Sequence, residues 1–208
     1  MTDTYRVNEI FYSIQGEGYW AGRPAVFVRF SNCNLWSGHE ADRATAICTF
    51  CDTDFVAGTD MTAEQIVDAA CAELPHPSGE QPMVIYTGGE PLLQLDDELV
   101  AAFRRVGFYQ AIETNGTLPL RVDLDWVCVS PKTPTVRITA GDELKLVYPQ
   151  GNLAPARFAN LDFTHFWISP MNDGDRINPV HADAAYAFVL KHPRWRLNTQ
   201  THKVIGVR

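Results

Sequence analysis

The sequence predicts an α/β fold built on a mostly parallel sheet, and three observations carry that prediction. Apolar runs of strand length recur along the chain, from AVFVRF (25–30) to HFWISPM (165–171). Helical patterns stand between several of them, as crossover connections require. The unusual polar stretches all follow strands: a cysteine-bearing loop, TGGEP, ETNG, SPK, SPMN and QTHK. In parallel α/β folds the C-terminal ends of the strands form the active face, so six such stretches on one rim describe a pocket.

Taken in order, AVFVRF is a buried strand, and the cysteine loop follows it directly. TAEQIVDAACAEL (62–74) is a helix, with Thr62 and Gln65 at capping-box spacing. PHPSGEQP (75–82) is a turn-rich connector, and MVIYTGGEP is a second strand ending at Gly88-Gly89. LLQLDDELVAAFRRVG (92–107) is a helix with acids early and arginines late, which suits its dipole, and Gly107 to close it. FYQAIETNG is a third strand running into Asn115-Gly116; WVCVSPK (126–132), ELKLVYP (143–149) and HFWISPM are the fourth, fifth and sixth. NPVHADAAYAFVLKHP (178–193) holds a helix stopped by Pro193, and WRLNTQTHK (195–203) is a final strand candidate. Connections 133–142 and 149–163 are too short or too proline-rich for a good helix, so the helical layer is incomplete.

The 208 residues are enough for one domain with a sizeable core, spanning 1–208, and 46% apolar residues is the ordinary globular level. The formal charge is −8 and no run of lysines and arginines occurs, which argues against nucleic acid and for a small-molecule partner. The N-terminus lacks the pattern of a signal peptide, and no apolar run is long enough to span a bilayer. The expectation is a cytoplasmic protein without a membrane partner. Thiols stay reduced there, so clustered cysteines point to metal or redox chemistry before disulfides.

Three of the five cysteines, Cys33, Cys48 and Cys51, lie on one loop, with fourteen residues between the first two. With His39 they make a Cys₃His set suited to a structural zinc ion. Alternatively, three thiolates hold a four-iron cluster and leave one iron open to a substrate or cofactor. The loop alone does not decide between these. Cys71, within a helix, and Cys128, within a strand, read as core residues.

The ending CTFC resembles the CxΦC ending (Φ aromatic) of the radical S-adenosylmethionine enzymes, and TGGEP (87–91) resembles their GGEP motif. Their usual spacing is CxxxCxxC, from which the fourteen-residue gap departs. FYSIQGEG, RFSNCNLW, CDTDF, ETNG, VSPK and QTHK, in this order from Glu9 to Lys203, resemble one branch of that superfamily, the 7-carboxy-7-deazaguanine synthases, some of which carry the long gap. The resemblance implies an incomplete (β/α) barrel with six mainly parallel strands, a reduced set of helices and a homodimeric assembly. It implies a lyase that converts 6-carboxy-5,6,7,8-tetrahydropterin to 7-carboxy-7-deazaguanine with loss of ammonia, toward queuosine and related deazapurines. The cofactors it implies are a 4Fe-4S cluster, S-adenosylmethionine and Mg2+, and a flavodoxin is the expected electron donor.

Residue by residue, the resemblance gives Cys33, Cys48 and Cys51 to the cluster. Phe50, Cys51, Asp52, Gly89, Glu90, Ser130, Pro131, Lys132, Ser169, Pro170, Met171 and Asn172 surround S-adenosylmethionine. Gly89 lets backbone approach the methionine end, and Glu90 holds neighbouring backbone or the amino group. SPMN stands where relatives carry a Pro-Met-Asp ending, so Asn172 keeps the shape without the charge. Ile14, Gln15, Gly16, Arg29, Thr87, His202 and the carboxylate of Arg208 fall to the pterin, with Arg29 gripping its carboxylate. Thr53 matches the position of a magnesium ligand in some members of that family. Glu17 and Glu113 are pocket carboxylates, and no protein acid or base is assigned. Two rival readings are a glycyl-radical activase and a zinc-stabilised binding module that depends on His39.

Overall fold

The computed structural model describes residues 4–75, 79–151, 153–174 and 176–207. They fall into two compact units. The first takes in residues up to Ser13, Pro24–Thr114 and Leu118–Trp126; the second takes in Ile14–Arg23, Asn115–Thr117 and the chain from Val127.

The first unit carries β1 (Tyr5–Ile14), β2 (Pro24–Phe30), β3 (Thr59–Met61), β4 (Met83–Gly88) and β5 (Tyr109–Thr114), in the order β3-β1-β2-β4-β5. β2, β4 and β5 run parallel, and β3 pairs antiparallel with β1. Met83, Val84, Ile85 and Tyr86 are all buried, which is why β4 reads as an unbroken apolar run rather than an alternation. Two helices, α1 (Ala63–Glu73) and α2 (Asp97–Arg105), bury Ile66, Val67, Leu99 and Phe103. α1 opens with the expected capping box: Gln65 N donates to Thr62 Oγ1 at 3.3 Å and Thr62 N to Gln65 Oε1 at 2.9 Å.

The second unit carries the parallel strands β6 (Trp126–Val129, apart from its first residue), β7 (Ala140–Tyr148), β8 (Asp162–Pro170) and β9 (Trp195–Leu197), in that order. α3 (Pro179–Lys191) starts with Pro179 at its first position and the Asn178 side chain accepting from His181 N at 3.1 Å. α4 (Thr201–Ile205) ends at Gly206, whose φ of 71° supplies the left-handed cap.

Several expectations need correction. The described residues hold nine strands, not six. β1 interleaves Asn8 and Glu9 with its apolar residues, which blurs the period-2 signal; β3 has only three residues, two of them polar. The helix expected from residue 92 begins at Asp97, because Glu90 caps a separate 3₁₀ turn, Pro91–Leu93, and Asp96 caps α2 through Leu99 N. The last strand stops at Leu197, and the QTHK stretch is helical. Cys128 is buried as expected, but Cys71 is exposed on α1. The connections 133–142 and 149–163 carry no α-helix among their described residues. No helix among the described residues is long and apolar enough to cross a membrane.

Candidate functional site

The first unit explains how fourteen residues can separate Cys33 from Cys48. The carbonyl of Leu35 accepts from Ile47 N at 3.0 Å and from Cys48 N at 3.3 Å, so the excursion closes back on its own start. Within it, Arg43 lies 4.1 Å over the Trp36 ring and donates to Glu40 at 2.7 Å. Arg43 also donates to the carbonyls of Thr49 and Cys51, each at 3.0 Å. The cation thereby ties the excursion to the backbone of the CxxC segment. His39 is exposed and directly precedes the 3₁₀ turn Glu40–Thr45.

None of the three cysteines is in a disulfide; Cys48 is buried, Cys33 and Cys51 half-buried. Leu35 N donates to Cys33 Sγ at 3.4 Å, although burial still pushes that thiol above its ordinary value. Cys51 is different. A hydrogen bond from the Cys48 thiol, against the cost of burial, and further bonds from the backbone and hydroxyl of Thr53 bring it down to about 6. Among the described residues no three His, Cys, Asp or Glu side chains form a group able to hold a metal ion. A cuboidal iron–sulfur cluster is wider than one ion, and thiolates backed by N–H donors on one loop are the donor set it takes.

TGGEP is stitched to this loop. Gly89 N donates to Phe30 O at 3.1 Å and Glu90 N to Asn32 O at 2.9 Å. A Cβ on Gly89 would lie 1.9 Å from Asn32 O, so the space a glycine leaves here is filled by the backbone leading into Cys33. Glu90 is fully buried and accepts from Leu92 N at 3.0 Å and from the Thr114 hydroxyl at 2.6 Å. Thr87 and Arg29 are register partners on β4 and β2. Arg29 donates its Nε to Glu9 at 2.7 Å. Burial lowers its guanidinium from the ordinary value, opposed by the negative charges of Asp52, Cys51 and Asp54. Phe50 is half-buried and Asp52 exposed.

The second unit gathers a different set. A Cβ on Gly16 would stand 1.8 Å from His202 Nδ1, so the missing side chain is what lets the imidazole lie against the loop. Gly16 O also accepts from Thr201 N at 2.8 Å. Gln15 follows Ile14, the last residue of β1, and its Oε1 accepts from Glu17 N at 3.1 Å; this amide oxygen shapes its own loop. Gly18 N donates to Asn198 Oδ1 at 2.8 Å and Tyr19 N to Glu143 Oε2 at 2.7 Å. Glu17 pairs with Lys145 at 2.8 Å and accepts from Gln200 Nε2 at 2.7 Å. Burial works to raise this carboxyl, yet Lys145, Gln200 and His202 hold it at about 2.

The remaining expected residues occupy the ends of β6 and β8. Lys132 turns back onto Ser130, donating to its carbonyl at 3.1 Å and its hydroxyl at 2.5 Å, and Pro131 O accepts from Gln150 at 3.0 Å. Ser169 accepts from Asn198 at 2.8 Å; Pro170 ends β8; Met171 N donates to Tyr148 O at 2.9 Å. Asn172 donates to Gln200 Oε1 at 2.6 Å. Arg208 lies outside the described residues. Sequence reasoning missed Glu9 and Arg43 in the first unit, and Glu143, Lys145, Asn198 and Gln200 in the second. ELKLVYP held the signal for two of them: charged residues alternating with leucines, where both faces of the strand are buried.

No family model matches the chain. It is 52% identical to the 7-carboxy-7-deazaguanine synthase of Caulobacter vibrioides, over 98% of this chain and 99% of that protein. It is 50% identical to the protein of the same name from Bordetella pertussis, again over 98% and 99%. The crystal structure of QueE from Escherichia coli shares 22% identity and a TM-score of 0.70, covering 96% of this chain and 95% of that one, which is a likeness of fold.

Proposed function

The chain belongs to the 7-carboxy-7-deazaguanine synthase family, and from that premise we propose that it converts 6-carboxy-5,6,7,8-tetrahydropterin to 7-carboxy-7-deazaguanine with loss of ammonia, on the way to queuosine and related deazapurines. The observation that carries this reading is 52% identity along nearly the full length of both chains. The fold that goes with it is an incomplete (β/α) barrel in which residues 1–208 act as one domain.

Cys33, Cys48 and Cys51 are the residues to hold a 4Fe-4S cluster. When bound, the reduced cluster supplies the electron that cleaves S-adenosylmethionine and so opens radical chemistry. The chain's own part is positioning and shielding. The Thr53 N–H and hydroxyl direct positive dipole at the Cys51 sulfur, which favours its thiolate, and Leu35 N does so at Cys33 against the burial that raises that thiol. The TGGEP seam keeps the methionine-binding strand end locked to the cysteine loop, and Glu90 holds that seam from beneath. Ser130–Lys132 and Ser169–Asn172 complete the S-adenosylmethionine site. Gln15, Gly16, Arg29, Thr87 and His202 take the pterin. With Nε committed to Glu9, Arg29 meets the substrate carboxylate through its outer nitrogens. A magnesium ion at Thr53 requires its hydroxyl to turn away from the Cys51 sulfur. Flavodoxin as reductant, a homodimer and a cytoplasmic setting complete the proposal.

The test is anaerobic incubation with S-adenosylmethionine, reductant and the carboxytetrahydropterin, with iron and acid-labile sulfide measured on the same sample. Deazaguanine product supports the proposal. An intact cluster without that product rejects it, and S-adenosylmethionine cleavage that needs a protein partner instead favours the activase.

A further inference from the structure

Lys145 is the charged residue hardest to explain by stability. It sits in the middle of β7 and is 5% exposed, between Leu144 and Leu146, which are fully buried. A buried ion pair loses much of its attraction to desolvation, and apolar side chains of similar volume often hold a fold as well. What the cation does specifically is place Glu17, whose two carboxylate oxygens go to Lys145 at 2.8 Å and to Gln200 at 2.7 Å. Other bonds of that loop lead to backbone or to polar side chains of the same unit: Gly18 to Asn198, Tyr19 to Glu143, Thr201 to Gly16. Two groups touch the loop where the pterin is proposed to bind. Gln15 Oε1 is fixed by Glu17 N, and His202 lies against Gly16.

We infer that Lys145 is a positioning residue for substrate recognition, acting through Glu17 to hold the loop 15–19 in its binding shape. The inference rests on the function proposed above. Lys145 touches neither reacting atoms nor cofactor in this role. Its loss therefore weakens substrate binding more than turnover, because the loop samples other shapes until substrate reorders it.

The experiment is steady-state kinetics of the reconstituted full-length enzyme with the carboxytetrahydropterin, for Lys145→Met, Lys145→Arg, Glu17→Gln and the Glu17→Gln/Lys145→Met double variant. Lys145→Met is expected to raise KM about tenfold with kcat within about twofold, and Lys145→Arg to recover most of the loss. The double variant is expected to match Glu17→Gln alone, because Lys145 works through that carboxylate. A wild-type KM in folded Lys145→Met, or losses that add in the double variant, overturns the inference. If Lys145→Met fails to fold because Glu17 is left without its counter-charge, the double variant leaves no such charge. Its KM equal to that of Glu17→Gln supports the role, and a further rise refutes it. Absence of wild-type turnover would instead sink the proposed function, and this inference with it.

Discussion

At the scale of single residues, one glycine and two carboxylates decide most. Gly16 leaves the room that His202 occupies, and a methyl group there would meet Nδ1 at 1.8 Å. Gly16→Ala should therefore displace the imidazole. Pterin turnover is expected to fall by about tenfold or more, while iron content and substrate-independent cleavage of S-adenosylmethionine stay at wild-type levels; a joint fall of all three would count against it. Glu17 carries a sign that pH can read. Its folded value of about 2 lies below the ordinary 4.5, so its contribution to stability is complete above pH 4.5 and is lost as pH falls toward 2. Urea midpoints measured at pH 5 and pH 3 should differ less in Glu17→Gln than in the wild type. Glu90 is fully buried, and Glu90→Ala leaves Leu92 N–H and the Thr114 hydroxyl without their acceptor. The expected loss is about 2 kcal/mol by urea denaturation. Gln15, Gly16 and His202 were all legible as residues of interest. That Gly16 exists for His202 was not, because nothing in a sequence relates positions so far apart.

At the scale of elements, the cysteine excursion and β7 are the informative cases. The excursion works as a closed loop because Leu35 O receives both Ile47 N and Cys48 N, and Arg43 clamps Trp36, Thr49 and Cys51 together. Arg43→Ala should leave the cysteines present but poorly held. After anaerobic reconstitution and gel filtration it is expected to retain less than about half the wild-type iron, with near-wild-type thermal stability. Full iron retention would mean that the Leu35 bonds suffice. Strands β2 and β4 were readable because buried parallel strands are long apolar runs. β3 was not, since three residues with two polar side chains have no period; it exists because β1 offers a partner edge. QTHK looked like a strand continuation, yet Gln200 and Gly206 bracket a short helix there.

At the scale of the whole molecule, the homodimer is the prediction to check. Sedimentation velocity at micromolar concentration should give a mass twice that of the chain, and a monomer at every concentration would reject it. The sequence by itself determined the α/β class, the capping box that opens α1, the presence of α2 and its glycine stop, the three-thiol loop and the order of motifs that identifies the family. These follow from local periods, from caps within four residues and from side-chain chemistry, all of which are written in neighbouring positions. Only the tertiary structure decided that Thr114 supports Glu90, that Arg29 is bound to Glu9, and that Lys145 and Gln200 grip Glu17. Each of those pairs joins positions remote in the chain. Their physical cause is the desolvation of a buried charge or hydroxyl, which demands a partner but leaves it to the fold to say which one.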